Sequence, residues 1–141
     1  MKPEAALQSQ LWSWWQYAHK GFGLSDHRVL FMVANGAYLG AGSKVMKNGR
    51  SVPLSVIRFK QLERMGFVQG VSDMLMIVPR GTKVGLSLEL KSAKGRVSDD
   101  QEQMLALFSV QGWATAVAFS FDEAVGAITR YLNTGDPAKI T

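Results

Sequence analysis

Three residues near the middle of the chain combine two carboxylates with an ammonium group: Asp73, Glu89 and Lys91. Glu89 and Lys91 are two residues apart in an alternating run that is typical of a strand, so both side chains point to the same side of a sheet. The Pro79–Thr82 segment has the composition of a hairpin turn and pairs this run with the preceding apolar segment. In the register that such a turn sets, Asp73 lies level with Glu89. The pattern therefore predicts two carboxylates and an ammonium at one end of a sheet.

This grouping suits the hydrolysis of a phosphodiester bond. Two adjacent carboxylates repel each other and can hold a divalent metal ion through hard oxygen ligands. The metal lowers the pKa of a bound water and offsets the charge that grows on the phosphate, while a lysine orients that water or helps to deprotonate it. Asp73 and Glu89 would be the ligands, with the backbone carbonyl of Leu90 as a third. The alternative is an exposed Glu–Lys pair on a strand, with Asp73 capping the backbone near the turn.

The composition limits which metal such a site could hold. The 141-residue chain has no cysteine and only two histidines, His19 and His27. Disulfides and thiolate metal sites are therefore excluded, and a histidine-rich zinc site is disfavoured. Oxygen ligands favour magnesium or manganese over zinc. We expect both histidines to be structural or solvent-exposed rather than catalytic.

The net charge of +5 is concentrated in one part of the chain. Residues 28–72 contain seven basic residues and one acid, Glu63. Such a region suggests a polyanionic partner, although many soluble proteins carry a basic face without binding anything. Two further cations follow the predicted catalytic strand. The residues expected to contact nucleic-acid phosphates are Lys44, Lys47, Arg50, Arg58, Lys60, Arg64, Lys94 and Arg96.

Two kinds of hydrophobic segment are missing from the sequence. No apolar run approaches the roughly 20 residues that a membrane span needs. Residues 1–10 lack the apolar region of a signal peptide and contain Glu4. We therefore expect a cytoplasmic protein without a membrane partner.

Apolar periodicity divides the chain into four helices and four strands. The predicted helices are Pro3–His19, Leu54–Met65 with Gly66 as its C-terminal cap, a helix from the Ser98–Gln101 capping box to Gly112, and Phe121–Leu132. The predicted strands are Arg28–Ala34, Val71–Val78, Val84–Leu90 and Trp113–Phe119. Gly36–Gly49 is predicted to be a glycine-rich basic loop that orders on a ligand, and the tail at 133–141 is expected to fray. This order predicts one α/β domain over residues 1–141, with three layers built on a central mixed β-sheet flanked by helices.

Several short motifs occur in an order that resembles one known family. The central ones are Gly70-Val71-Ser72-Asp73, Glu89-Leu90-Lys91 and Lys94-Gly95-Arg96-Val97-Ser98 with Gln101 three residues later. The outer ones are Glu4 with Gln8, Asn35-Gly36, Gly112, and Ser120 followed by Asp122-Glu123-Ala124. Together they resemble the virus-type replication-repair nuclease (VRR-NUC) domain of the PD-(D/E)xK nuclease superfamily, over nearly the whole chain. The resemblance implies a restriction-endonuclease-like fold.

The resemblance also implies a role for individual residues. Asp73 and Glu89 would hold the metal, and Lys91 would assist the attacking water. Gln101 would project from its helix toward the same centre, and Glu4 would add an acidic group from the first helix, with Gln8 beside it. For Gln101, closing the capping box is an alternative or an additional role, and Glu4 and Gln8 could simply solvate their helix.

One position departs from the family pattern. The family usually has proline before the metal-binding aspartate, and this chain has Ser72. A serine there changes the stiffness of the backbone but removes no ligand.

For function, the resemblance implies a stand-alone, metal-dependent endonuclease. It would act on DNA, including branched DNA, with Mg²⁺ or Mn²⁺ and no small-molecule cofactor. Stand-alone members resemble Holliday-junction resolvases, which act as homodimers. Two alternatives stay open: a non-catalytic nucleic-acid-binding module on the same fold, and a nuclease for RNA or single strands. The aromatic group Trp12, Trp14, Trp15 and Tyr17 is expected to serve as core or subunit contact, with base stacking as its alternative.

Overall fold

The computed structural model describes residues 2–34 and 44–139 of the chain. Within this part the helices are α1 (Pro3–Ala18), α2 (Leu54–Arg64), α3 (Asp99–Val110) and α4 (Phe121–Thr134), with short 3-10 helices at His19–Phe22 and His27–Val29. The strands are β1 (Leu30–Met32), β2 (Lys44–Lys47), β3 (Arg50–Pro53), β4 (Met74–Met76), β5 (Leu86–Leu90) and β6 (Ala114–Ala118). No helix in these two ranges is long and apolar enough to cross a membrane.

A mixed sheet of four strands forms the centre of the described part, in the order β1-β4-β5-β6. The β1–β4 and β4–β5 pairs are antiparallel, and β5–β6 is parallel because α3 crosses over between them. Helices α1 and α4 pack together on one face of the sheet, and α3 lies on the other. The predicted three-layer α/β fold with a central mixed sheet is confirmed.

The main core lies between the sheet and the α1–α4 pair. Alternate residues of β4 and β5 point into it, and every residue of β5 is buried on one face or the other. Two polar atoms of large aromatic residues find backbone partners there: Trp15 Nε1 donates to the His27 carbonyl, and Tyr131 Oη donates to the Val78 carbonyl. Both bonds let a large ring be buried without an unsatisfied polar atom.

The aromatic residues of α1 mostly belong to this core, as expected. Trp15 is fully buried, and Trp14 contacts Phe22 and Phe121 edge-on. His19 is buried as well, with Nδ1 within hydrogen-bond distance of the Trp15 carbonyl. Tyr17 is the exception, because its side chain is exposed.

The predicted strand at 28–34 is shorter than expected. Asp26 accepts a hydrogen bond from the Arg28 N–H and caps a 3-10 helix, so β1 begins only at Leu30. The other predicted strands and helices occur with trimmed ends. Gly66 takes a positive φ just after α2, and the Phe67 N–H returns to the Leu62 carbonyl, which confirms the predicted cap.

The glycine-rich basic segment is not a loop throughout. Residues 35–43, including Asn35-Gly36 and most of the predicted loop, lie outside the described residues, but 44–53 form the antiparallel β2–β3 hairpin. Asn48 and Gly49 both take positive φ angles, 50° and 74°, as a two-residue type I′ turn requires. The prediction of a loop up to Gly49 is therefore wrong for the segment from Lys44 onward.

The fraying of the tail at 133–141 is also not what the described residues show. Helix α4 continues to Thr134 and ends at Gly135, which has a positive φ. Arg130 Nε donates to the Pro137 carbonyl, and Asp136 Oδ1 accepts from the Ala138 N–H. These bonds tie the chain down as far as the structure describes it.

Candidate active site

The β4–β5 register brings the two predicted carboxylates together. Met74 pairs with Leu88, so the next positions outward, Asp73 and Glu89, are level at the end of the hairpin. Asp73 Oδ2 accepts a hydrogen bond of 2.8 Å from the Leu90 N–H, across the two strands. The register predicted from the turn is therefore confirmed, and the backbone of β5 fixes the Asp73 carboxylate.

Glu89 is an unusual residue for the middle of a strand, because only 1% of it is exposed. Its Oε1 accepts a hydrogen bond of 2.9 Å from Gln101 Nε2, while Oε2 is buried without a hydrogen-bond partner among the described residues. Burial raises the pKa of the Glu89 carboxyl, and the neighbouring Asp73 carboxylate raises it further, to about 8, although Lys91 acts in the opposite direction. The fold thus holds a carboxyl group that lacks one partner.

Lys91 points to the same side of β5 as Glu89, as the spacing predicted. Its Nζ lies 3.8 Å from Glu89 Oε1, and its side chain is only 12% exposed. The backbone N–H of Lys91 donates to the Ala118 carbonyl, so β6 fixes the position from which the side chain extends. This ammonium group is therefore held beside the carboxylates, with a small opening to solvent.

Gln101 performs both of the roles that the sequence left open. Its Oε1 accepts from the Ser98 N–H, and the Ser98 hydroxyl accepts from the Gln101 N–H, which completes the predicted capping box. The Nε2 of the same amide donates to Glu89. Because the cap and the Glu89 contact use different atoms of one side chain, the start of α3 sets the orientation of the Glu89 carboxylate.

Glu4 reaches the same end of the sheet from α1. Its Oε1 lies 3.5 Å from the Ser92 N–H, just beyond β5, and its negative charge contributes to the raised pKa of Glu89. The Glu4 side chain is exposed, so it stands at the rim of the site. Gln8 lies one turn further along α1 and lines an apolar groove with Trp12 and Phe31, rather than the carboxylate pair.

Ser72, the position that departs from the family pattern, has a structural partner. Its hydroxyl is buried and forms a hydrogen bond with the hydroxyl of Ser87 on β5. A proline at this position could not make that bond. The serine therefore links the segment that carries Asp73 to the strand that carries Glu89.

The donor atoms at this centre fit a hard divalent cation. They are carboxylate oxygens of Asp73 and Glu89, with the Leu90 backbone carbonyl adjacent in β5, and oxygen is the ligand that magnesium and manganese prefer. Glu89 Oε2, which is buried without a hydrogen-bond partner among the described residues, is an oxygen of the type that such a cation binds. In the described ranges no cluster of three or more histidine, cysteine or acidic side chains could hold a metal, and the acidic groups at this centre are a pair.

A cleft of about 240 Å³ opens onto this centre between α2 and α3. Asp73 and Gln101 lie on its wall, and an edge-to-face aromatic pair, Phe59 and Phe67, lines its far side. Gly70 also lines it, with a positive φ, and a Cβ at this position would collide with the backbone of Asp100 and Gln101. The aromatic wall is not predicted from the sequence, because isolated phenylalanines such as Phe59 on α2 and Phe67 just after it are usually core residues.

The basic residues predicted to contact phosphates occupy three different places. Lys47, Arg50, Lys60 and Arg64 line one cleft between the β2–β3 hairpin and α2. Arg58 is exposed on α2 outside the lining of that cleft, and Lys94 and Arg96 are exposed between β5 and α3. The Lys44 side chain lies outside the described part of the chain.

Comparison with known proteins agrees with this geometry. The family model described as "VRR-NUC domain" matches residues 2–122. A solved structure described as "VRR_NUC domain protein" superposes with a TM-score of 0.70 over 96% of this chain and 93% of that chain, at 16% sequence identity, which supports the fold. No curated protein matches the sequence. With the family model covering most of its length, the chain belongs to the VRR-NUC family and carries a nuclease-type domain.

Proposed function

We propose that this protein is a metal-dependent endonuclease that hydrolyses DNA phosphodiester bonds and prefers branched DNA, in the manner of a Holliday-junction resolvase. The observation that carries the proposal is the Asp73–Glu89 pair, with Glu89 Oε2 buried and unpartnered among the described residues, beside the Lys91 ammonium. Ionising a buried carboxyl group whose second oxygen has no protein donor is unfavourable, so retaining this group beside a second carboxylate suggests a ligand that stabilises the ionised form. A divalent cation is the ligand that paired carboxylates favour.

Each residue of the centre then has a distinct task in hydrolysis. When bound, Mg²⁺ or Mn²⁺ would supply Lewis-acid activation of water and offset the charge that grows on the phosphate. Asp73, fixed by the Leu90 N–H, and Glu89, oriented by Gln101, would hold the cation. Lys91 Nζ would orient the attacking water and stabilise negative charge on the phosphate oxygens. Glu4 at the rim would be an auxiliary acid.

The acidic pair argues for catalysis rather than binding alone. Two carboxylates beside the substrate would repel a phosphodiester in the absence of a metal, so a pure binding module gains nothing from them. DNA is proposed as the substrate because of the family and the exposed basic residues near the cleft. The preference for branched DNA and a homodimer follow from the resemblance to resolvases, since a twofold dimer would present two centres to a four-way junction.

The test is cleavage of a labelled four-way DNA junction, its matched duplex, a single strand of that duplex and the RNA of the same sequence, with Mg²⁺, Mn²⁺ or EDTA. We expect cutting with either metal, none in EDTA, and a loss of about 10²–10³-fold in rate for Lys91→Ala, as is typical when a group that stabilises the transition state is removed. The matched control is Lys83→Ala, which removes the same charge from the turn at the opposite end of the β4–β5 hairpin. Thermal unfolding of both variants checks that each is folded.

The outcomes separate the proposal from its alternatives. Preference for the junction supports a resolvase-like activity, whereas equal cutting of both DNAs supports a nuclease without structure selectivity. Cutting confined to single strands or RNA would mean that the protein is a nuclease for those substrates and not for duplex or branched DNA. Tight binding with no cutting of any substrate under any metal would overturn it in favour of the non-catalytic module.

A further inference from the structure

A second cleft, of about 530 Å³, lies between the β2–β3 hairpin and α2. Four cationic side chains line it: Lys47, Arg50, Lys60 and Arg64. No acidic side chain is present among the described residues of its wall. Its other polar lining is Asn48 and Gln61, which can both donate hydrogen bonds.

The cations in this cleft are arranged as like-charged neighbours. Lys47 and Arg50 are directly opposite in the β2–β3 pair, and Lys60 and Arg64 are four residues apart on one face of α2. Both arrangements are unfavourable when no anion is present. In the described part of the chain the ion pairs are Asp26–Arg28 and Glu89–Lys91, so none of the four cations has an acidic partner there. An anionic ligand would remove this repulsion.

Helix α2 connects this cleft to the candidate active site. Lys60 faces the basic cleft, whereas the preceding residue, Phe59, lines the active-site cleft together with Asp73. One helix therefore separates the two clefts. An α-helix with its side chains is about 10–12 Å across, which corresponds to about three base-pair steps of duplex nucleic acid.

We propose that the cleft between α2 and the β2–β3 hairpin is a second phosphodiester-binding site, which holds the nucleic-acid backbone about three base pairs from the scissile bond. It takes phosphate groups of a nucleic-acid chain and fixes their position without reading sequence. The inference rests on the proposed function for what happens in the neighbouring cleft. The binding itself depends only on the four cations and their geometry.

The experiment compares two double variants that lose the same charge. Lys60→Gln/Arg64→Gln removes two cleft cations, and Lys20→Gln/Lys139→Gln removes two exposed lysines outside the cleft. Affinity for a duplex of about 20 base pairs is measured in EDTA at salt concentrations from about 50 to 200 mM. Over this range, each phosphate contact makes the affinity fall by a further factor of about 3.5. We expect the cleft variant to bind more weakly than wild type at low salt. Because it has lost two phosphate contacts, its affinity should also fall by a factor about ten times smaller over this salt range than that of wild type. The control variant should behave like wild type.

A second measurement uses bis(p-nitrophenyl) phosphate, a single phosphodiester too small to reach both clefts. The cleft variant should lose at least about tenfold more activity on the duplex than on this small ester. Equal losses of activity on the two substrates would overturn the inference. So would a salt dependence of the cleft variant that equals that of wild type, or a salt dependence of the control variant that is reduced as much as that of the cleft variant. If wild type hydrolyses neither these two substrates nor the four-way junction, the catalytic proposal fails, while the salt slopes still decide whether the cleft binds DNA.

Discussion

The two hairpins of this protein carry charge in opposite ways. At the end of the β4–β5 hairpin away from its turn, the charged groups are buried or partly buried, and each contacts a named partner: Glu89 contacts Gln101 and Lys91, and Asp73 contacts the backbone of Leu90. In the β2–β3 hairpin, Lys47 and Arg50 are exposed, opposite each other, and without an acidic partner in the described part of the chain. Burial makes an unpaired charge expensive, so the first hairpin must fix its groups in place. Exposure removes that constraint, so the second can present charge to a ligand.

The same contrast extends to the elements that support each hairpin. The α1–α4 pair covers one face of β5 and α3 the other, and every β5 residue is buried. None of the side chains of α2, which packs against the β2–β3 hairpin, is fully buried, and Met65 at its end is 82% exposed. The proposed hydrolysis needs positions fixed to fractions of an ångström, which the contacts of the buried hairpin favour. The proposed binding of a nucleic-acid backbone does not need such fixed positions, so an exposed hairpin can serve it.

The largest expected effect is on the pH dependence of stability, and it arises in the buried hairpin. The folded-state pKa of Glu89 is about 8, against an ordinary value of 4.5, so between these values the folded state binds a proton that the unfolded state has released. Stability in EDTA should therefore fall as the pH rises through this window, by up to about 1.4 kcal/mol per pH unit. Glu89→Gln keeps the shape of the side chain but cannot titrate, so it should remove this part of the slope.

The measurement is denaturant unfolding of wild type and Glu89→Gln at several pH values from about 5 to 8, with EDTA present. Comparing the two slopes cancels the contributions of other groups, including Asp26, whose pKa is held low by hydrogen bonds from Arg28. Parallel slopes would mean that the buried carboxyl does not retain its proton, and the contrast between the hairpins would lose its electrostatic basis. Added Mg²⁺ or Mn²⁺ should flatten the wild-type slope selectively, because a cation stabilises the ionised carboxylate.

The next effect concerns Gly70, which packs the buried hairpin against α3. Its φ of 89° is strained for any residue with a Cβ, and a Cβ there would collide with the Asp100 carbonyl. Gly70→Ala should lower the free energy of unfolding by about 2–4 kcal/mol. Because α3 must shift to make room, the Gln101–Glu89 hydrogen bond should weaken, and cleavage of DNA should fall with it. Denaturant unfolding and cleavage rates measure the two effects.

Unchanged stability in Gly70→Ala would contradict the close packing of this loop on α3. A loss of stability without any loss of cleavage would show that Gln101 is dispensable for orienting Glu89. In either case the buried hairpin would tolerate more movement than its contacts imply.

The buried hairpin is also the region that the sequence predicts best. Alternation in β5 and the Pro79–Thr82 turn were enough to place Asp73 opposite Glu89, because a one-residue slip would turn every apolar side chain out of the core. The capping box at Ser98 was equally readable, since its atoms are only three residues apart. Such patterns are local or strictly periodic, and therefore visible in one sequence.

Contacts made between distant elements could not be predicted in this way. The amide of Gln101 reaches Glu89 from α3 to the sheet, and the Ser72–Ser87 bond joins the segment before β4 to β5, but no spacing rule specifies either contact. The β2–β3 hairpin was missed for a different reason. Asn48-Gly49 is a strong signal for a type I′ turn, but the flanking strands are basic and exposed, so they lack the apolar alternation that marks a buried strand.

The smallest expected effect concerns the Asn48-Gly49 turn, and it tests the exposed β2–β3 hairpin. Gly49 has a φ of 74°, like Gly70, but a Cβ there would meet nothing within 4 Å in the described chain. Gly49→Ala therefore carries only the backbone cost, about 1 kcal/mol, and this cost falls on a hairpin that contributes little to the core. Global unfolding should change by less than about 0.5 kcal/mol, as for most surface substitutions, while amide hydrogen exchange in β2 and β3 becomes faster. Because Lys47 and Arg50 extend from these strands, affinity for DNA should fall slightly even though neither cation is changed. A global destabilisation as large as that of Gly70→Ala would show that the two hairpins fold as one unit, and the division between a rigid catalytic hairpin and an adaptable binding hairpin would then be wrong.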